Sequence, residues 1–172
     1  MWGPKCGLSP VLGQQCPLSS KLYPSSPQIS GYRLMSSRRR AREIVLQMLY
    51  EADLNGSRDA DAMHRFIRSR MQGHRALSEF AIQLLDGTLD ARSEVDEHLG
   101  KLAKQWSLKR MAVVDRNIMR LAAFEMLHAI TPGKVAVNEA VLLAKRYGEA
   151  KSPKFVNGIL DRLMKQIETQ DQ

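Results

Sequence analysis

Cysteine is nearly absent from this chain: Cys6 and Cys16 are the only two in 172 residues. One pair near an end is no disulfide framework, so a reduced, cytoplasmic protein is expected. Aromatic residues make up 6%, and no apolar run approaches the roughly 18 residues that suggest a membrane span. The histidines (His64, His74, His98 and His128) never stand four apart or beside a cysteine, so no metal site is expected. The sequence has no phosphate loop, dinucleotide fingerprint or nucleophile elbow, and neither catalysis nor a cofactor is expected. Acid is missing from residues 1–35, which hold three basic residues, five of the seven prolines and both cysteines. Without an apolar period, that stretch cannot offset its ordering entropy, and it lacks the apolar core of a secretory signal. It is expected to be disordered, or to be an extension ahead of a start at Met35.

Beyond it, the chain has what one globular domain needs, with 44% apolar and 26% charged residues overall. The formal net charge of +8 favours an acidic partner such as nucleic acid. Helical periodicity runs through residues 36–168, ahead of a short tail at 169–172, and no strand alternation appears. Ala41, Ile44, Val45, Met48, Leu49 and Ala52 form one apolar stripe of a first helix, with Ser36 or Ser37 as cap and Asn55-Gly56 as stop. A second helix is expected over about 59–72. A third, capped at Leu77-Ser78, is expected to run to about 104 with Gly87 as a bend or close-packing point. A fourth carries Val114 to Leu127 and Asp115 in its first turn. After the break at Thr131-Pro132-Gly133 come a fifth helix closed by Gly148 and a sixth with Ser152 as N-cap and Pro153 at its first position. The expected class is all-α, a bundle of short helices.

Two basic regions stand out. Residues 36–42 read SSRRRAR, and positive charge at a helix N-terminus opposes the macrodipole, so a partner anion would stabilise it. The alternative is a solvated basic helix end. On a helical wheel Arg39 and Tyr50 lie within about 20° of each other, opposite the apolar stripe. An outward tyrosine in line with arginine suits a base stacked beside a held phosphate, which favours single-stranded RNA; it also suits a contact with another subunit or helix. The second region holds Lys145, Arg146, Lys151 and Lys154, with Phe155 beside the last, at a helix N-terminus able to bind phosphate. Phe155 reads equally as a core residue, and Lys151 as a solvated loop lysine. Gly158 costs its helix about 1 kcal/mol against alanine, and tight packing is the expected reason.

Four stretches together resemble the NusB family: RRRARE, VDRNIMRLAAFEML, KVAVNEAVLLAKRYG and SPKFVNGILD. The resemblance covers about residues 36–168. It implies an all-α fold of two small helical subdomains and no catalysis. It also implies a transcription antitermination factor that binds boxA-type RNA of ribosomal RNA leaders, together with ribosomal protein NusE, within an antitermination complex on RNA polymerase. Carried over position by position, the resemblance makes Arg38, Arg39, Arg40 and Arg42 the arginine-rich RNA contact. Tyr50 and Phe155 become aromatic RNA contacts, with Lys154 beside the latter, and Asp115 becomes the candidate contact for NusE. Lys151 joins the RNA-binding set as a departure, because family members often carry an acidic residue there. Two alternatives remain: an RNA-binding domain related to the N-terminal part of ribosomal RNA cytosine methyltransferases, and a homodimer that hides its RNA surface.

Overall fold

The computed structural model describes residues 36–56, 59–103 and 107–170. Among them are seven α-helices: α1 (Ser36–Asn55), α2 (Ala60–Arg70), α3 (Arg75–Asp90), α4 (Arg92–Leu102), α5 (Val113–Leu127), α6 (Gly133–Tyr147) and α7 (Ser152–Gln170), with a 3-10 turn at Leu108–Arg110. None of the described residues lies in a strand, and no described helix is long and apolar enough to cross a membrane.

The expected stripe of α1 is buried throughout, from Ala41 to Ala52. A second buried row, Arg42, Leu46 and Tyr50, lies beside it at four-residue spacing. The cause is packing on two sides, because α1 meets α3 across one flank and α5 across another. A single-stripe reading assumes one covered face. The outward placement of Tyr50 is therefore corrected: Tyr50 is 9% exposed.

α2 starts at Asp59, whose carboxylate accepts the N–H of Ala62 at 3.0 Å. The long third helix is instead two. α3 begins at Arg75, and Ser78 donates its hydroxyl back to the carbonyl of His74 rather than capping the start. The joint falls at Ala91, not at Gly87, and backbone bonds run on through it, from Ala91 to Gly87 and from Val95 to Ala91. The apolar period continues across that joint, so the two helices read as one. Gly87 is a close-packing point: a Cβ there would sit 2.0 Å from the Phe124 ring.

α5 is buried on all sides from Asn117 to Met126 and packs on α1, α3, α4, α6 and α7. It is the axle of one contiguous core to which every helix contributes. Burying such a helix requires its polar residues to be paired. Glu125 takes both Nε and Nη2 of Arg42, at 2.8 and 2.6 Å. Arg120 and Arg116 reach Asp53 of α1, each at 3.0 Å, and Arg120 also forks onto Asp96 of α4.

At the other end, α6 stops at Gly148, where a Cβ would meet Ser152 at 2.6 Å and the carbonyl of Ala144 at 2.8 Å. The chain turns there within a few residues. Ser152 is the first helical residue of α7, so Lys151 takes the flanking position expected of Ser152. The helix buries Val156, Ile159, Leu160 and Leu163. Gly158 is not a packing point within this chain: no described atom lies within 4 Å of a Cβ built on it.

Candidate nucleic-acid interface

The four arginines of α1 separate into different environments. Arg42 is 4% exposed and holds Glu125 and the hydroxyl of Thr131. Its expected place on an RNA surface is corrected, since no face of it is left for a ligand. Arg39 forks onto Glu139 of α6, Nε at 2.9 Å and Nη2 at 2.8 Å. That contact holds the Glu139 carboxyl below its ordinary value, the hydrogen bond outweighing the burial that pushes the other way. Arg40 donates to Glu43 at 3.1 Å. Glu43 is itself buried and also receives Arg146. The phenol of Tyr147 lies near the same carboxylate, and burial with that negative neighbour pushes the phenol up to about 12. Arg38 is exposed and has no ion pair among the described residues; its guanidinium lies 5.2 Å from the centre of the Phe80 ring on α3.

The arginine run is thus largely a clasp between α1, α5 and α6. Sequence reading missed its acidic half. Glu43, only one residue beyond the run, was the available signal; Glu139 lies 100 residues from its partner.

The second basic region has another character. Lys145, Lys151 and Lys154 are exposed, and none forms an ion pair among the described residues. Lys151 and Lys154 border a cleft of about 750 Å³ with Arg110, Met111, Ala112, Asp115 and the half-buried Phe155. The 3-10 turn brings Arg110 to this rim. Arg110 was not singled out from sequence, because it lies 41 positions before Lys151. Under the cleft, Ser152 accepts the N–H of Glu149 at 2.9 Å and donates to Asp115 Oδ2 at 2.6 Å. That pair ties the loop before α7 to the first turn of α5. Asp115 is 9% exposed and its Oδ1 has no hydrogen-bond partner among the described residues. Burial pushes its carboxyl above the ordinary value of 3.8, against the Ser152 bond and with the help of nearby Glu149. The acid borders the cleft from beneath the loop, largely buried.

Chemically the site offers three cations and an aromatic edge around a cleft that Glu149 and Asp115 also line. No group of three or more His, Cys, Asp or Glu residues suited to a metal occurs among the described residues.

The NusB family model matches residues 39–165. The chain belongs to the NusB family. The transcription antitermination protein NusB of Desulfitobacterium hafniense is 43% identical over 139 residues, covering 79% of this chain and 93% of that one. That of Anaeromyxobacter dehalogenans is 45% identical over 130 residues, covering 75% and 92%. Among solved structures, NusB of T. maritima superposes with a TM-score of 0.68 at 35% identity, covering 75% of this chain and 91% of that one. A structure of the antitermination factors NusB and NusE in complex with dsRNA matches with a TM-score of 0.68 at 28% identity, covering 77% and 99%. In this NusB-family chain the family match takes in Arg39 to Arg42 of the first basic region and the cleft before α7.

Proposed function

We propose that this chain is a transcription antitermination factor of the cytoplasm. It binds boxA-type RNA of ribosomal RNA leaders together with ribosomal protein NusE, and so joins an antitermination complex on RNA polymerase. Residues 36–168 carry the activity, which is binding and not catalysis. The observation that supports this most is a cationic rim around an aromatic cleft, built by Lys151, Lys154, Arg110 and Phe155 in a member of the NusB family. A free ammonium or guanidinium beside a ring suits phosphate on one hand and a stacked base on the other.

Within that reading Lys151, Lys154 and Phe155 are direct RNA contacts, and Arg38 is another. Arg39 and Arg40 contribute where they are exposed, while Arg42 and Tyr50 support the surface from beneath. Asp115 shapes the loop through Ser152 and so influences the neighbouring face offered to NusE. The test is binding of a boxA-type RNA against a scrambled control, with and without NusE, followed by light scattering of each mixture. Preference for boxA that rises with NusE is expected. Equal affinity for both RNAs, or a dimer that ignores RNA, overturns the reading.

A further inference from the structure

Phe80 lies on α3, outside every segment that composition or motif brings forward, and it is partly buried against the core. Two arginines of α1 approach its ring: Arg42 at 5.3 Å and Arg38 at 5.2 Å from the centroid. They are four residues apart, so they stand on the same side of the helix. Their circumstances differ. Arg42 cannot relocate, because Glu125 grips two of its nitrogens and Thr131 a third contact. Arg38 has no carboxylate within ion-pair distance among the described residues, and the ring is the contact that gives its exposed guanidinium a definite place. An arginine packed on a ring uses its flat face and keeps its N–H donors at the edge available for two oxygens of a phosphate.

We infer that Phe80 is a positioning residue for RNA: anchored beside the fixed Arg42, its ring preorders Arg38 for a backbone phosphate. The inference rests on the RNA-binding reading above. It also explains an otherwise wasteful arrangement, in which a single arginine of the run is held without being neutralised. Ordering a long side chain before the ligand arrives removes part of the entropy that binding must otherwise supply.

The experiment is a double-mutant cycle read by RNA affinity and its salt dependence, using a boxA-type single strand and the full chain. Phe80→Leu and Arg38→Ala are each expected to weaken binding about two- to five-fold at low salt, the size of an exposed cation–π contact. The double variant should bind no more weakly than Arg38→Ala, and Phe80→Tyr, which keeps the ring, should bind as the parent does. Parent-like binding by Phe80→Leu overturns the inference, and so does a penalty that persists in the Arg38→Ala background. Should Phe80→Leu fail to fold, the NMR shift of the Arg38 Nε proton in the parent decides. A ring-current displacement to high field that Phe80→Tyr retains is expected, and a shift at the open-chain position overturns the inference. A parent that binds no RNA refutes the underlying reading; a parent that binds while Phe80 is indifferent refutes only this one.

Discussion

The arginines of α1 and the lysines before α7 contain similar charge and use most of it in opposite ways, Arg146 alone of the second region joining Glu43 of α1. On α1, Arg39 and Arg42 face Glu139 of α6 and Glu125 of α5, so their cations tie helices together, while Arg40 pairs with Glu43 within α1 itself. Around the cleft before α7, Lys151 and Lys154 face solvent with no ion pair among the described residues. Side-chain chemistry accounts for the division. A guanidinium can satisfy two carboxylate oxygens at once and tolerates burial when so paired, whereas an ammonium is strongly hydrated and stays outside. The lesson is that a run of arginine marks a place where a ligand or a partner helix must be found, and here the helices claim most of it.

That contrast is broken most directly at Arg42. Arg42→Ala leaves the Glu125 carboxylate buried without its counter-ion, and the expected loss of unfolding free energy is about 3–5 kcal/mol. Urea unfolding measures it. RNA binding by the folded fraction should keep its salt slope. A stable variant with a flattened slope would return Arg42 to the RNA surface and dissolve the distinction between the regions.

The lysines should behave in the reverse manner. Removing Lys151 and Lys154 together is expected to flatten the slope of log K against log salt by about 1.4, if each neutralises one phosphate of a single strand. Stability should stay within about 0.5 kcal/mol of the parent, because exposed side chains outside any pair hold little of the fold together. Binding isotherms at several salt concentrations, beside a thermal melt, supply both numbers. An unaltered slope would make these lysines bystanders.

How far the sequence alone reaches follows from the same contrast. Helix existence was legible because the 3.6-residue period is written locally: the stripe from Ala41 to Ala52 and the row Val156, Ile159, Leu160 and Leu163 are buried as their spacing requires. The breaks at Pro132 and Gly148 were legible for the same reason. The joint at Ala91 was not, since a helix interrupted without loss of backbone bonding keeps its period. Nor could a wheel place Tyr50 or Arg42, because a wheel shows one stripe and says nothing about a second neighbour. Arg39 with Glu139 and Arg110 with Lys151 depend on distant parts of the chain, and only folding brings them together.

Gly158 offers a smaller test within the lysine region. It sits on α7 just beyond Lys154 and Phe155, and a Cβ there meets no described atom within 4 Å. Gly158→Ala is expected to raise stability by about 1 kcal/mol, the helix-propensity difference between the two residues. A thermal melt checks the sign. A loss instead would restore the packing role. Raised stability with weakened RNA binding would assign the bare backbone to close approach by a ligand.

The smallest effect separates the regions by the sign of their pH dependence. In the arginine clasp, the Arg39 hydrogen bond holds the Glu139 carboxyl below its ordinary 4.5, overcoming the burial that raises it. A carboxyl lowered by folding contributes stability that is complete above its unfolded value and disappears as pH falls through the folded one. Beneath the cleft, burial raises the Asp115 carboxyl above 3.8. A carboxyl raised by folding contributes in the opposite sense: its stability is complete below the unfolded value and is lost as pH rises through the folded one. Global acid unfolding mixes these with every other carboxylate, so the informative quantity is the difference between the parent and a variant lacking the titration. For Glu139→Gln that difference should be full at neutral pH and close as the solution becomes acidic. For Asp115→Asn the parent should compare best at the most acidic pH at which both fold, and then lose ground as pH rises. Denaturant titrations at half-unit pH steps would trace both curves. Curves of the same sign would mean that the loop does not bury Asp115 in solution, leaving its carboxylate open to the cleft and its lysines.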